Sequence, residues 1–393
     1  MNRHLLEHDV QLYIREQLHA DVHQIALGKS PFQEVSGKEL ANQIAARKKS
    51  ARKLPVWFNT PGIYFPALLS IEQCSSEITA AYKALLARGD NLIDLTGGFG
   101  VDSFYFSKLL PSVIHCEINE DLSEIAAHNA EILGQPNISF INGDGLDFLR
   151  NTDRHFGTIY IDPARRSESG KVFMLTDCTP DIVKNLGLLL NKGNRILIKT
   201  APLLDISMGL KELSNVAEIH IVSVKNECKE LIWVLEPKFS GIPRIIASAL
   251  NSSLKQFIFL PGEESPVEIR GAVNTGDYLY EPDVALLKTG AFNLIAERYH
   301  LQKFHSQTQL YTSSSIETAF PGRIFKINEV LSSGLIKKEK ELRGSVIVRN
   351  YPDKAAALVS KYRIKPDDQE FIVFTQSKTA GKIVLKCTIL QHY

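Results

Sequence analysis

Apolar and polar residues alternate along the middle of the chain in a pattern that predicts strands and helices in turn. Short apolar runs between polar turns predict strands over 91–95, 112–117, 137–142, 157–161, 194–200, 216–223 and 229–235. Apolar residues at helical spacing predict helices near 100–110, 120–134, 144–150, 179–190 and 203–214. This alternation is typical of a parallel sheet covered on both faces, which binds ligands at the carboxyl ends of its strands.

The last two predicted strands lie too close together for a crossover connection. Only residues such as Lys225 and Asn226 separate them, so they must form a hairpin and one of them must be antiparallel. We therefore predict an α/β fold with a Rossmann-like, seven-stranded, mostly parallel sheet and an antiparallel last strand. Within it, Thr179, Pro180 and Asp181 predict a helix start with a capping hydroxyl and proline at the first helical position.

The flanking regions differ in pattern from this central part. Apolar spacing predicts amphipathic helices over roughly 4–20 and 37–53, and residues 237–276 read as a linker or a hairpin. The pattern over residues 278–301 predicts a helix. Beyond residue 322 the pattern predicts a small α+β unit with strands near 323–328, 345–349, 370–375 and 382–389 and helices near 329–342 and 353–362. The predicted segments are 1–70 (helical), 71–238 (α/β), 239–321 (linker and helical region) and 322–393 (α+β).

Composition narrows the class of protein but not its partners. A chain of 393 residues is too long for one ordinary core, and 44% hydrophobic with 23% charged residues is typical of a globular protein. Its net charge of +1 does not indicate a partner. Five scattered cysteines without a C-x-x-C pair predict neither disulfides nor a metal site and favour a cytoplasmic location. No run approaches the roughly 18 apolar residues of a membrane span, so no membrane partner is expected.

Four acidic residues follow successive predicted strands and carry the first chemical signal. They are Asp94, Glu117, Asp144 and Asp162. Parallel strands bring their carboxyl ends to one sheet edge, so these carboxylates should face one crevice. A helix cap explains any one of them, but it explains four in succession poorly.

A glycine-rich turn follows the first strand and adds a second signal. Gly97, Gly98 and Gly100 let the backbone approach a ligand closely, and the following helix start offers free N–H groups. The strand, turn and helix together predict a cradle for a polar cofactor.

Together these residues resemble motifs I to IV of class I S-adenosylmethionine-dependent methyltransferases. The resemblance covers about 70–236 and rests on residues 94–100 (DLTGGFG), Glu117, Asp144 and residues 162–165 (DPAR). In that interpretation Glu117 accepts the ribose hydroxyls, Asp144 lies near the adenine amine, and Asp94 faces the cationic end of the cofactor. The implied cofactor-binding residues are Asp94, Thr96, Gly97, Gly98, Gly100, Glu117, Ile118, Asp144 and Gly145.

The full chain also resembles a bacterial methyltransferase family with a ferredoxin-like insert and a C-terminal THUMP-like domain. Residues 72–77 (EQCSSE), residues 280–283 (YEPD) and the region after Gly322 carry this second resemblance. It implies an RNA substrate, either rRNA or tRNA, and leaves the oligomeric state open. A dinucleotide-binding enzyme is the rival interpretation. Gly98 and Gly100 fit the first half of its fingerprint, but Ser103 occupies the third glycine position.

The predicted catalytic residues are Asp162, Pro163 and Arg165. In amino-methyltransferases an Asp or Asn before Pro-Pro and an aromatic residue accepts the hydrogens of the target amine and orients its nitrogen. This chain keeps Asp162 and Pro163 but has Ala164 and Arg165 at the next two positions. An exocyclic amine is the predicted target, with guanine N2 as the first choice.

Two alternatives to an amine target remain open. The Asp-Pro-x-Arg sequence also resembles RNA methyltransferases that act on pyrimidine C5 and need a cysteine nucleophile. Cys178 is the nearest candidate, but the cysteine of that family usually follows the next strand, where this chain has residues 199–202 (KTAP). The other alternative is an inactive RNA-binding module with a methyltransferase-like core.

Two basic groups are predicted to bind the substrate. Arg165 and Arg166 should lie at the mouth of the crevice, where guanidinium groups can hold a phosphate or stack on a base. The second group comprises Lys48, Lys49, Arg52 and Lys53, which are close in sequence to Trp57 and Phe58. A solvated helix face is an equally good interpretation of the second group.

Overall fold

The structure, a computed structural model, describes residues 1–165, 174–269, 271–332, 334–339 and 341–393. It divides the chain into two compact units. The first comprises Met1–Ala217 and Leu231–Gly241, and the second comprises Glu218–Glu230 and Ile242–Tyr393. This division is coarser than the four predicted segments.

Eleven helices of the first unit lie within the described residues. They are α1 (His8–Glu16), α2 (Val22–Leu27), α3 (Gly37–Lys53), α4 (Pro55–Asn59), α5 (Leu68–Gln73), α6 (Glu77–Ala84), α7 (Val101–Ser107), α8 (Glu120–Ile132), α9 (Gly145–Asn151), α10 (Ile182–Lys192) and α11 (Ile206–Glu212). Short 3-10 turns flank α1, so the helix predicted over 4–20 is interrupted.

The strands described up to residue 235 form the predicted sheet and one small ribbon. They are β1 (Asn91–Asp94), β2 (Ser112–Glu117), β3 (Ile138–Asn142), β4 (Thr158–Ile161), β5 (Ala164–Arg165), β6 (Cys178–Thr179), β7 (Ile196–Thr200), β8 (Val216–Val224) and β9 (Glu227–Leu235). The strand order in the first unit is β3-β2-β1-β4-β7-β9. All of these neighbours are parallel except β9, which is antiparallel to β7 and forms a hairpin with β8. The predicted fold class is confirmed.

The helices start where polar caps are available. At α3, the Ser36 hydroxyl accepts from the Glu39 backbone N–H, and the Glu39 carboxylate accepts from the Ser36 N–H. The predicted start of α10 is wrong. Asp181 caps this helix, because Thr179 pairs with Ala164 in the β5–β6 ribbon and Pro180 precedes the cap.

The second unit contains a hairpin and a larger sheet. Its further elements are β10 (Arg244–Leu250), β11 (Leu254–Phe259), β12 (Tyr278–Pro282), α12 (Val284–Thr289), α13 (Phe292–Arg298), β13 (Gln302–His305), β14 (Thr308–Ser313), β15 (Gly322–Ser332), β16 (Ser345–Val348), α14 (Ala355–Tyr362), β17 (Glu370–Ser377) and β18 (Gly381–Gln391). β10 and β11 are the hairpin, and β10 also runs parallel to β8. The larger sheet has the order β13-β14-β12-β15-β18-β17-β16.

Two secondary-structure predictions in the second unit are wrong. The segment from residue 278 opens with β12, which pairs with both β14 and β15, and only then forms two short helices. The helix predicted over 329–342 is replaced at its start by the end of β15, which pairs with β18 as far as Ser332. This pairing buries Leu331 and overrides the local helix preference. Among the described helices, none is long and apolar enough to cross a membrane.

Candidate functional site

The glycine turn after β1 rests directly on a buried histidine. A Cβ atom at Gly97 would lie 2.1 Å from Cε1 of His115, so only glycine fits above this ring. Gly98 and Gly100 have φ values of 56° and 84°, which favour glycine. A Cβ at Gly98 would meet nothing closer than a backbone oxygen at 3.9 Å. The turn is therefore packed tightly against His115 at Gly97 and is open around Gly98.

Asp94 ends β1 beneath this turn and is fully buried. Its Oδ1 accepts from the Thr96 backbone N–H at 3.0 Å, and its Oδ2 accepts from the Ser103 hydroxyl at 2.7 Å. Ser103 also lies 3.1 Å from Nδ1 of His115. Burial raises the pKa of Asp94 to about 8, whereas burial lowers the pKa of His115 to about 3. The hydroxyl at position 103 therefore connects two buried residues, a contact that a glycine there could not make.

Glu117 ends β2 and is held by the backbone on both sides. Its Oε2 accepts from the Gly98 N–H at 2.9 Å, and its Oε1 accepts from the Asn119 N–H at 2.8 Å. The remaining lone pairs of the carboxylate can accept two hydroxyl groups. Ile118 is 73% exposed, which offers an apolar surface beside this carboxylate.

Asp144 follows β3 and caps α9. Its Oδ1 accepts from the Leu146 N–H at 2.7 Å. Gly145 is required for packing, because a Cβ there would lie 2.7 Å from Cα of Leu95, at the start of the glycine turn. Asp144 is therefore a helix cap, as the alternative interpretation of the four acids predicts. The cap uses only one of its two carboxylate oxygens.

Asp162 follows β4 and contacts a lysine that we did not predict. Its backbone N–H donates to the Thr96 hydroxyl at 2.7 Å, and its Oδ2 accepts from Lys199 Nζ at 2.5 Å. The side chains of Asp162 and Lys199 are 30% and 15% exposed. Lys199 lies near the end of β7, the next parallel strand, which is the signal that could have identified it.

A second lysine and carboxylate lie buried beside the turn, and sequence reasoning missed both. Lys83 Nζ is 3.2 Å from Oδ1 of Asp102, and the lysine is completely buried. Oδ2 of Asp102 accepts from the hydroxyls of Ser75 and Tyr160, each at 2.8 Å. Burial alone would raise the pKa of Asp102, but the positive charges of Lys83 and Lys199 outweigh it and hold that pKa below its usual value.

The structure describes only part of the predicted catalytic segment. Pro163 is buried, and the backbone of Arg165 in β5 pairs with Cys178 in β6. Cys178 itself is fully buried. The side chain of Arg165 and the whole of Arg166 lie outside what the structure describes.

The basic residues of α3 separate into two pairs. Lys49 forms an ion pair with Glu72 at 3.0 Å, and Lys53 Nζ donates to the carbonyl oxygens of Ile71 and Glu72 at 2.8 and 2.7 Å. Lys48 and Arg52 are exposed. Lys49 and Lys53 thus contact α5, whereas Asp94, Glu117, Asp144 and Asp162 share the sheet edge.

Comparisons with known proteins show which proteins this chain is similar to. A family model of a ferredoxin-like domain matches residues 278–321. A candidate methyltransferase from Porphyromonas gingivalis W83, known from a crystal structure, is 29% identical, covers 99% of both chains and superposes with a TM-score of 0.86. An uncharacterised S-adenosylmethionine-dependent methyltransferase of Mycobacterium tuberculosis is 26% identical over 268 residues, or 67% of this chain and 69% of the relative. An uncharacterised RNA methyltransferase of Mycoplasma mobile is 35% identical over 77 residues, or 20% of this chain and 21% of the relative.

These findings confirm the predicted cofactor and enzyme class. The residues present fit S-adenosylmethionine, because an open glycine turn, a carboxylate held by backbone N–H groups and an exposed apolar side chain occur together at one sheet edge. The match over residues 278–321 confirms the predicted resemblance to a family with a ferredoxin-like domain. Among the described residues, no group of three or more His, Cys, Asp or Glu side chains could hold a metal ion.

Proposed function

We propose that this chain, an S-adenosylmethionine-dependent methyltransferase, methylates an exocyclic amine of an RNA base, with guanine N2 as the first target to test. The observation that supports an amine target is the position of Asp162. Asp162 lies beside the open glycine turn, since its backbone N–H donates to the hydroxyl of Thr96 in that turn. A carboxylate accepts hydrogen bonds only, and an exocyclic amine is a donor of two.

Different residues around the turn would bind different parts of the cofactor. Glu117 would accept the ribose hydroxyls, Ile118 would cover one face of the adenine, and Asp144 would approach the adenine amine. Asp94 would face the cationic end, where a bound positive charge favours its ionised form. When bound, S-adenosylmethionine supplies a methyl group on a positively charged sulfur, which a nitrogen lone pair can attack.

Asp162 would then act mainly by orientation. By accepting one amine hydrogen, it would turn the nitrogen lone pair towards the methyl group, and it could take up the proton that the product releases. The carbonyl of Pro163 would accept the other hydrogen, and Arg165 would hold the substrate at the entrance. Orientation of this kind can account for a large part of a rate enhancement.

A pyrimidine C5 target has less support. That chemistry needs a thiolate that can reach the base, and Cys178 is fully buried. C5 methyltransferases usually carry the cysteine after the next strand, where this chain has residues 199–202 (KTAP), and Lys199 of this segment is bonded to Asp162. We therefore retain the amine as the proposed target.

RNA as the substrate is supported by the short match to the RNA methyltransferase of Mycoplasma mobile. The exposed cations Lys48 and Arg52 on α3, together with Arg166, would contact phosphates. Lys49 and Lys53 would assist them less, since each already has a partner. We further propose that the region from residue 322 onward is a THUMP-like domain that presents the RNA, and that the protein is cytoplasmic.

Binding and transfer can be tested separately. S-adenosylmethionine is titrated by calorimetry into the wild-type protein and its Glu117→Ala variant, and labelled methyl transfer to total cellular RNA is then measured for the wild type and Asp162→Ala. We expect Glu117→Ala to lose most of its cofactor affinity, and Asp162→Ala to bind the cofactor but transfer little label.

The exposed Asp153, replaced by alanine, is the matched control and should retain both activities. Cofactor binding by the wild type without any transfer to RNA would instead support the inactive-module alternative. Unchanged affinity in Glu117→Ala would contradict the ribose assignment.

A further inference from the structure

The contact between Lys199 and Asp162 is built into the sheet. Ile161 of β4 pairs with Ile198 of β7, so Asp162, which follows β4, lies side by side with Lys199 of β7. Lys199 is also fixed from the other side, where its backbone pairs with Ile232 of β9. The strand register therefore sets the position of the ammonium group before any substrate binds.

Lys199 is mostly buried and lies near two carboxylates. The side chain is only 15% exposed, and burying an ammonium group is costly unless opposite charges lie close to it. Two carboxylates meet this need: Asp162 by direct contact, and Asp102 by an attraction that lowers the pKa of Asp102. Positive and negative side chains thus alternate from Lys83 through Asp102 and Lys199 to Asp162.

This arrangement restricts what Asp162 can do. Its Oδ2 is occupied by Lys199, and no hydrogen bond to Oδ1 is found among the described residues. A carboxylate without such a partner could rotate and present either oxygen. With Lys199 bonded to Oδ2, this rotation is restricted, and Oδ1 can accept a hydrogen bond from the substrate.

We infer that Lys199 is a positioning residue: by holding Oδ2 of Asp162, it leaves Oδ1 to accept a hydrogen from the substrate amine. This inference rests on the proposed role of Asp162 in methyl transfer. It gives a function to a lysine of the segment in which C5 methyltransferases usually have their nucleophile. It also explains how Asp162 can work without the second proline and the aromatic residue of other amino-methyltransferases.

A double-mutant cycle tests the inference. The wild type, Lys199→Met, Asp162→Ala and the double variant are compared by kcat for methyl transfer to RNA, by Kd for S-adenosylmethionine and by Tm. We expect Lys199→Met to lower kcat by on the order of 100-fold, as loss of orientation does, with Kd changed less than about twofold. In the Asp162→Ala background the same substitution should change kcat by less than about threefold, because it acts only through Asp162.

Two further variants separate positioning from simple stabilisation. Lys199→Arg keeps a cation that can reach the carboxylate and should recover at least about one tenth of the wild-type kcat. Arg195→Met removes an ion pair with Glu236 at the opposite end of β7. It should lower Tm without lowering kcat of the folded enzyme.

The outcomes distinguish this inference from the proposed function. A Lys199→Met enzyme that keeps kcat, or that loses the same factor in both backgrounds, would overturn the positioning role while leaving the proposed function intact. A wild-type protein that transfers no methyl group to RNA would overturn the proposed function, and this inference with it.

Discussion

Asp94 is an acid whose surroundings oppose its negative charge. Burial is the main cause, and the negative charge of Asp102 adds to it, so that the pKa rises from 3.8 to about 8. His115 beneath the turn shows the opposite effect for a base, with its pKa lowered to about 3. Both residues are therefore neutral near pH 7, and the floor of the cofactor cradle carries no charge from them.

The raised pKa of Asp94 should make the free energy of unfolding depend on pH. Between pH 4 and 8 the folded protein holds a proton on Asp94 that the unfolded chain has lost, so stability falls as the pH rises through this window. The lowered pKa of His115 affects stability only below about pH 6.5. From pH 6.5 to 8 we expect Asp94 to remove roughly 1.5 kcal/mol from the free energy of unfolding, measured with urea. Asp94→Asn should lack this decline, and parallel curves for both proteins would contradict the buried acid.

Gly97→Ala should damage both folding and cofactor binding. The added Cβ would overlap the His115 ring, and overpacking of this kind costs about 1–3 kcal/mol. Thermal melting and calorimetric titration measure the two effects. The double variant Gly97→Ala/His115→Ala makes room for the methyl group and should recover part of the lost Tm. If Gly97→Ala alone matched the wild type, the described packing of turn and ring would be wrong.

Some residues of the site could be identified from the sequence, and others could not. The four acids could be found because each ends a strand of an alternating pattern, and the structure brings them to one edge. Lys83 and Asp102 could not be found from the sequence, because their pairing depends on how α6 packs against α7. For His115, the sequence predicts only an ordinary position in a strand.

Helix α3 shows what local signals can and cannot predict. Its bounds follow from the Ser36–Glu39 capping box and from Pro55, and the structure reproduces the predicted range. The roles of its basic residues depend on α5, which neutralises Lys49 and binds Lys53. That contact joins residues about 20 positions apart and has no local signature.

Replacing Lys48 and Arg52 by alanine should weaken RNA binding in a salt-dependent manner. Each lost phosphate contact lowers the slope of log K against log salt by about 0.7–0.9. Fluorescence anisotropy with labelled RNA at several salt concentrations measures this slope. Lys49→Ala is the control on the same helix and should change the slope less, because Glu72 already pairs with Lys49. Equal slopes for the wild type and the Lys48/Arg52 variant would remove α3 from the proposed interface.

Non-local strand pairing explains the failed predictions in the second unit. β15 and β18 are 11 residues each and lie side by side, although residues 333–380 separate them along the chain. The end of β15 has a helical composition and becomes strand only because β18 is available. Local propensity decides an element only where no such partner competes.

At the level of the whole chain, the order of elements was predictable, but which strands share one sheet was not. The proposed boundary at 321 and 322 falls between β14 and β15, and both belong to one seven-stranded sheet through β12. The sequence marks this place with Pro321 and Gly322, which are typical of a turn. A turn between two strands of one sheet and a turn between two domains have the same local signature.

The most direct test of the account is the identity of the methylated nucleoside. RNA treated with the wild-type protein or with Asp162→Ala is digested to nucleosides, which are separated and measured by mass spectrometry against standards. The account predicts N2-methylguanosine with the wild-type protein and almost none with Asp162→Ala. A C5-methylated pyrimidine formed by both proteins, or no methylated nucleoside from the wild type, would contradict it.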